Sequence, residues 1–496
     1  MTKLNVAFIG CGRIADLHAP GYDHNPDARI YAVCDRNRDL LARRQAEWSA
    51  ERAFTELEEV LADPNVDAVE ILTPQLLHEP MTLKALASGK HVALQKPMSI
   101  DLPSARRMLR AAARSGRVFK ITENYVFYPP LVLARRLIED GAIGEPIGMR
   151  IHYLGGSTGG WKVPATAWVW RIQEAAAGRG FVTFDHGHHL LSTAWFLLGE
   201  VERVAGWIDS IDGVVDAPSV FMWKYAGAKR YGVCDIVHGP ELNVPSKYYS
   251  NDEWVEITGS RGVIRVSRCT GNVHDGPPVL LFDGTRWRPF VDVPSDWGAG
   301  FVGATQNFID AIRGRAEPLL SAEQAFGILR FALAVQRAAR ERREVFLDEM
   351  EHPFPRLYSR GRRQQEQRAE HGGFFARLGL GQSLSRYARE ALSLTEDVVR
   401  HYDVEAARKV ETLIGLHLTA DNGVEEKLAL RVAHGTPELT RGELPEGAAL
   451  TVMVPAGVWA AILLKKKRLE TALFQGKIKF RGRIEEALKL RALFQL

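Results

Sequence analysis

A glycine-rich turn between a short apolar strand and a helical stretch restricts this chain more than any other feature. Leu4–Ile9 reads as a strand, and Gly10-Cys11-Gly12-Arg13-Ile14-Ala15 follows at once. In a G-x-G-x-x-G/A turn the first glycine permits a tight bend and the second lets a ligand approach the backbone. The small third residue lets the helix pack on the strand. The helix then presents its unpaired N–H groups to an anion. In this strand–turn–helix context the anion is a dinucleotide pyrophosphate. Gly10, Gly12, Arg13 and Ile14 are therefore candidate cofactor-binding residues.

Ile30–Cys34 reads as a second strand and ends at Asp35. A carboxylate there accepts hydrogen bonds from the adenosine ribose hydroxyls and repels a 2′-phosphate, which favours NAD. Arg36 beside it leaves NADP open. Further strands are expected at Ala68–Leu72, Val92–Leu94 and Val118–Ile121, with helices at Pro80–Ser88 and Leu102–Ser115. Strands alternating with helices give a parallel, doubly wound α/β sheet, so residues 1–124 read as a Rossmann domain.

The pattern then changes. Between 125 and 345, strand candidates cluster at 148–154, 201–210, 219–225, 229–237, 254–259 and 263–267, with few helices among them. This predicts an α+β domain with one large, open, mainly antiparallel sheet. Residues 346–385, rich in Arg, Gln and Glu, read as a linker. Residues 386–496 read as a small α/β unit with strands at 413–420, 427–432 and 450–454, a helix near 457–466 and a terminal helix from Ile484.

Composition removes several function classes. At about 100–200 residues per domain, 496 residues suggest roughly three domains. A net charge of +4, from 64 basic and 60 acidic residues, is not the strongly basic balance of a nucleic-acid binder. Cys11, Cys34, Cys234 and Cys269 form no C-x-x-C pair or zinc-type cluster, so buried reduced thiols and no metal site are expected. The N-terminal apolar run is short and ends in the glycines, unlike a signal peptide. No segment has the apolar length of a membrane span. A cytoplasmic location is the expectation.

Three further segments carry a family resemblance: Thr73-Pro74-Gln75-Leu76-Leu77-His78, Gly89-Lys90-His91-Val92-Ala93-Leu94-Gln95-Lys96-Pro97, and Gly180-Phe181-Val182-Thr183-Phe184-Asp185-His186-Gly187-His188-His189. With the glycine turn they resemble the Gfo/Idh/MocA family, the glucose–fructose oxidoreductase and inositol dehydrogenase group, over about residues 1–345. The resemblance implies that Lys96 hydrogen-bonds the reacting oxygen, that His189 exchanges its proton, and that Asp185 lies beside them. It places Thr73, Pro74, His78, Gln95 and Lys96 at the cofactor, and it implies a homodimer or homotetramer. Gln95 stands where the family has glutamate, Gln75 where asparagine is frequent, Ser192 where an acid often follows the histidine, and Val126 where arginine is common.

The chemistry suits these residue types. Oxidation of a carbinol removes a hydride from carbon and a proton from oxygen. Histidine, with an ordinary pKa near 6.5, suits the base, and a lysine stabilises developing alkoxide charge. Asp185 and His189 are four residues apart, so a helical turn points both the same way. His188, Tyr125, Trp170 and Arg171 are candidate substrate contacts, with core packing the alternative for each.

The run Ala472-Leu473-Phe474-Gln475-Gly476-Lys477-Ile478-Lys479-Phe480-Arg481-Gly482 resembles the sterol carrier protein 2 family. The resemblance implies an apolar tunnel for an acyl or sterol-like ligand, with Trp459, Ile462, Leu463, Phe474, Leu488 and Phe494 as candidate lining. The same residues could simply form the core of a small domain.

The sequence as a whole predicts an NAD(P)-dependent oxidoreductase acting on a sugar, cyclitol or other alcohol, including a lipid-linked or hydrophobic one. Two alternatives stand beside it. One is a sugar hydrolase or epimerase that uses NAD without net redox change. The other is a lipid carrier with an inactive dehydrogenase portion.

Overall fold

The computed structural model describes residues 2–496 except 163–164, 212, 275, 353–360, 364–365, 367–383, 409, 484, 488 and 490–496. The chain divides into two compact units, Met1–Leu347 and Asp348–Leu496. Most of the 346–385 segment, and much of the expected terminal helix, lie outside the described residues.

The first unit opens with a parallel sheet of β1 (Leu4–Ile9), β2 (Ala28–Cys34), β3 (Arg52–Phe54), β4 (Ala68–Ile71), β5 (His91–Gln95) and β6 (Phe119–Thr122). The strand order is β3-β2-β1-β4-β5-β6, with every pair parallel. Val6, Ala7, Phe8, Ala68, Val69 and Ile71 are wholly buried, because helices cover both faces of such a sheet. The order reverses between β1 and β4, and ligands bind at the carboxyl ends of the strands at such a switch point. The helix after the glycine turn is shorter than its sequence suggests. It starts at Ala15, not Arg13, runs only to His18, and continues as a 3-10 turn over Ala19–Gly21. Pro20 has no N–H to extend the α-helical ladder.

The second sheet contains β7 (Pro146–Thr158), β8 (Val201–Ile208), β9 (Ser219–Tyr225), β10 (Tyr231–Asn243), β11 (Asn251–Gly259), β12 (Val263–Ser267), β13 (Val279–Phe282), β14 (Trp287–Phe290) and β15 (Val345–Phe346). Its order is β14-β13-β12-β11-β7-β10-β9-β8-β15, antiparallel except for the parallel β7–β10 pair. More helices interrupt it than the sequence suggests: Pro129–Glu139, Ala165–Ala176 and Gly187–Leu198 precede β8. One sheet face is buried through Phe221, Trp223, Tyr225, Cys234 and Ile236. The alternate residues Trp207, Met222, Tyr231 and Val237 are exposed on the other.

The helix Gly298–Ile312 packs back on the first sheet. Its Phe308 and Ile309 belong to the core beside β1, and buried Lys120 of β6 donates to the Ala304 carbonyl at 3.1 Å and to Asn307 Oδ1 at 2.8 Å.

The second unit has a five-stranded sheet of β16 (Thr412–Asp421), β17 (Val424–Ala433), β18 (Thr436–Arg441), β19 (Leu450–Pro455) and β20 (Lys479–Gly482), in the order β18-β17-β16-β19-β20. The helix Ala456–Leu463 packs Val458, Trp459 and Ile462 into its core. All four cysteines are free. Cys11, Cys34 and Cys234 are buried as expected, whereas Cys269 is only half-buried, in the loop after β12. Among the described residues no helix is long and apolar enough to cross a membrane, and no His/Cys/Asp/Glu group could hold a metal ion.

Candidate active site

The carboxyl ends of β1, β4 and β5 open into a cleft of about 1380 Å³ that the second sheet closes from the other side. Small-molecule sites usually occupy about 300–1,000 Å³, so this cleft has room for a cofactor and a substrate together. Gly10 bends the chain with φ +92°, and a Cβ there would sit 3.0 Å from the Leu72 carbonyl oxygen. Gly12 is different: a Cβ on it would meet nothing within 4 Å and would project into open space. That empty approach to the backbone fits a pyrophosphate. The helix behind it is a single turn, Ala15–His18, so it brings only a short dipole to this space. Asp35 accepts from the N–H of Cys11 at 2.8 Å and of Asn37 at 2.9 Å, which fixes its carboxylate at the cleft. Arg13, Ile14, Arg36, Thr73 and Pro74 line the same part.

Lys96 follows β5 directly. Its Nζ donates to the main-chain oxygen of Asp185 at 2.9 Å and to Asp185 Oδ1 at 3.1 Å. Gln75 Nε2 donates to the same Oδ1 at 3.0 Å, while Gln75 Oε1 is buried without a hydrogen-bond partner among the described residues. Burial alone would raise the Asp185 pKa, but Lys96 and Arg171 outweigh it and hold the carboxyl at about 2. Asp185 sits in a π-helical turn, Phe181–His186, that runs into the helix Gly187–Leu198. The turn and helix bring Asp185 and His189 to one cleft wall.

His189 is buried, with Nδ1 2.6 Å from Glu123 Oε1. Glu123, at the end of β6, is wholly buried and also accepts from the Tyr125 N–H at 3.0 Å. Tyr125 stacks on the His189 ring with centroids 4.5 Å apart. Burial, reinforced by the positive charge of Lys96, pushes the His189 pKa well below 6.5, and burial raises that of Glu123. With Nδ1–H directed at Glu123, Nε2 is left as a proton acceptor. The arrangement can therefore polarise an oxygen through Lys96 and move a proton at His189 Nε2.

The far wall is aromatic. Trp168 stacks on Phe181 at 5.4 Å, and the Arg171 guanidinium lies over Phe181 at 4.9 Å and Trp170 at 5.1 Å. Arg171 Nε is buried without a hydrogen-bond partner among the described residues.

Three expected contacts do not reach the cleft. His78 is fully buried, with its ring nitrogens on the carbonyls of Pro97 at 2.8 Å and Thr73 at 2.9 Å, so it braces the cofactor loop from behind. His188 points into the core, where burial pushes its pKa to about 3. Tyr125 lies beneath His189, with its hydroxyl on Glu253. Gln95 lines the cleft but also binds His18. Glu123 and Glu253 are positioning residues that sequence reasoning missed. Glu123 carries a weak signal, a carboxylate directly after an apolar strand, and Glu253 carries none.

In the second unit Trp459 and Leu463 face an apolar cavity of about 30 Å³, a single water's share of volume. Ile462 turns into the core instead. The Phe474 side chain, Leu488 and Phe494 lie outside the described residues.

A switch-point glycine turn facing a lysine and a histidine across one cleft defines a nicotinamide-dependent oxidoreductase. The chain belongs to the Gfo/Idh/MocA oxidoreductase family. Residues 4–123 match its NAD-binding Rossmann fold and 131–265 its C-terminal domain, while 398–495 match the SCP-2 sterol transfer family. An uncharacterized oxidoreductase of Synechocystis is 31% identical, over 53% of this chain and 72% of that one. D-apiose dehydrogenase of Paraburkholderia graminis is 25% identical, over 71% of this chain and 92% of that one. Myo-inositol 2-dehydrogenase of Thermotoga maritima is 26% identical, over 70% and 99%. The fold is shared with a levoglucosan dehydrogenase solved with NADH and levoglucosan, at TM-score 0.59 and 22% identity over 70% of this chain and all (100%) of that one.

Proposed function

We propose that this protein is an NAD-dependent dehydrogenase of a hydroxyl on a sugar- or cyclitol-like alcohol, with Lys96, Asp185 and His189 at the reacting centre. The observation that carries this reading is the convergence of Lys96 Nζ and the Glu123-held His189 ring on one cleft wall beside the glycine turn. Gly10, Gly12 and Asp35 would hold the dinucleotide, and Asp35 favours NAD over NADP. When bound, the nicotinamide takes or gives the hydride. Lys96 hydrogen-bonds the reacting oxygen and stabilises its negative charge, while Asp185 and Gln75 hold Lys96 in place. His189 Nε2 receives the hydroxyl proton on oxidation and returns it on reduction.

The names of the relatives support polyhydroxylated substrates. The aromatic wall of Trp168, Trp170 and Phe181 favours a substrate with an apolar face, and the match of the C-terminal domain to the SCP-2 family supports an acyl or sterol-like ligand for that domain. Its cavity must widen to admit a lipid. The exposed Trp207, Met222, Tyr231 and Val237 face supports a homo-oligomer, since a partner copy would cover it.

The test is titration of NAD+ and NADP+ into the purified chain, then NADH formation with apiose, levoglucosan, inositols and their lipid conjugates. Turnover that falls by about 100-fold or more in Lys96→Ala and His189→Ala is the expected result. Tight NAD binding without turnover on any of these would favour a reaction with no net redox change.

A further inference from the structure

Positive charge is concentrated at one edge of the second unit. Residues 465–483 hold eight basic side chains and one carboxylate, Glu470, although the whole chain has a net charge of only +4. Lys465, Lys466, Arg468, Lys477, Lys479, Arg481 and Arg483 are all exposed. Arg483 reaches Glu486 at 3.6 Å, and the other six make no ion pair among the described residues.

Two basic runs that are apart in sequence meet in the fold. The first, Lys465–Arg468, is the turn that ends the helix Ala456–Leu463. There the N–H groups of Lys465 and Lys466 donate to the carbonyls of Ile462 and Ala461, each at 2.9 Å. The second, Lys477–Arg483, contains β20, the last strand of the sheet. Lys467 Nζ donates to Gln475 Oε1 at 2.6 Å and joins the runs, because buried Gln475 lies two residues before Lys477. Side chains alternate along β20. Ile478 and Phe480 pack into the core, so Lys479 and Arg481 stand on the other side of the strand. A helix C-terminus attracts nearby cations, which suits Lys465 and Lys466. It does not account for Lys479 and Arg481, which lie on a strand.

The patch also borders the cavity of this unit, since Trp459 and Leu463 line that cavity from the helix that the basic turn ends. An acyl or sterol-like molecule dissolves poorly in water, so it reaches such a cavity from a bilayer or returns to one.

We propose that this basic edge docks the second unit on an anionic lipid surface, with Lys465, Lys466, Arg468, Lys477, Lys479 and Arg481 facing the head groups. The negative potential of such a surface attracts each cation held near it, and the attraction fades within a Debye length. The contact rests on charge, so salt reverses it. This goes beyond the dehydrogenase reading and does not depend on it.

The full chain is sedimented with vesicles of phosphatidylcholine alone and of phosphatidylcholine mixed with phosphatidylglycerol, at about 0.1 M and about 0.5 M salt. The partition coefficient is expected to be at least about tenfold higher on the anionic vesicles at the lower salt, and to fall at least about tenfold at the higher. The double variants Lys465→Glu with Lys466→Glu, and Lys479→Glu with Arg481→Glu, each remove one pair from one run. Each is expected to lower partition into the anionic vesicles about tenfold while melting like the wild type. Where charge reversal upsets folding, the corresponding Gln variants carry the same comparison. Equal partition into both kinds of vesicle, or variants that bind as the wild type does, overturns the proposal. Retention of a duplex oligonucleotide at about 0.1 M salt, while neither vesicle binds, would assign the patch to nucleic acid and overturn it as well.

Discussion

Lys96 Nζ donates to two oxygens of a single residue, the main-chain carbonyl and the Oδ1 of Asp185. Lys96 comes from the edge of the dinucleotide sheet and Asp185 from the turn that carries His189. The contact therefore sets the lysine against the histidine across the two halves of the first unit. Asp185→Asn keeps the shape but removes the charge that holds Lys96. It is expected to lower kcat about 10–100-fold, with NAD affinity within about threefold, whereas Lys96→Ala should lower kcat about 100–1,000-fold. Steady-state kinetics together with fluorescence titration of NADH would separate the two effects.

The pH profile follows from the position of His189. Burial, with Lys96 adding its positive charge, lowers its pKa well below 6.5. A base acts when unprotonated, so kcat/KM should stay flat as pH falls through about 6.5 and drop only well below it. Lys96→Ala removes a neighbouring positive charge, so in its residual activity the acid limb should move to higher pH. An acid limb at or above about pH 6.5 in the wild type would contradict this environment.

The two glycines of the turn should fail in different ways. Gly10 has φ +92°, and a Cβ would press on the Leu72 carbonyl, so Gly10→Ala should destabilise the fold by about 1–3 kcal/mol. A Cβ at Gly12 meets nothing, so Gly12→Val should melt like the wild type while losing NAD binding. Calorimetric melting and NADH titration on both variants check the contrast.

Much of this site was legible in the sequence because its parts are local. The glycine turn, Asp35, Lys96 and the Asp185–His189 spacing each lie within a short segment whose strand or helix context could be read directly. What was not legible depends on long-range pairing. Glu253 reaches Tyr125 and His186 only because β11 lies beside β7 in the second sheet, and no periodicity announces that register. His78 and His188 share motifs with cleft residues but point away from the cleft, because side-chain direction depends on the packed backbone. The one-turn helix after the glycines is a local effect of Pro20 that the fingerprint masked.

Gln95 in place of glutamate has a definite electrostatic consequence. Its Oε1 accepts from the Lys96 N–H at 2.7 Å, so Nε2 donates to His18 Nε2 at 2.9 Å, and His18 Nδ1 donates to Glu70 at 2.6 Å. Gln95→Glu removes the donor to the buried His18 Nε2 and is expected to cost about 1–3 kcal/mol of stability, read by calorimetric melting; a variant that melts like the wild type would contradict this hydrogen-bond chain.

Cofactor choice should follow Asp35. Asp35→Ser removes the carboxylate that repels a 2′-phosphate and leaves Arg36 beside it. The ratio of NADP+ to NAD+ affinity should rise at least about tenfold, as read by isothermal titration, and no change would place the ribose elsewhere.

Hydride transfer in this cleft is tested most directly by following the label. The full chain is incubated with NAD+ and myo-inositol or levoglucosan deuterated at the carbinol carbons, and the dinucleotide is analysed by mass spectrometry. The account predicts deuterium in the reduced nicotinamide with the wild type and none with His189→Ala, although that variant still binds NAD. Label transfer that persists in His189→Ala, or tight NAD binding by the wild type with no label transferred from any polyol, would contradict it.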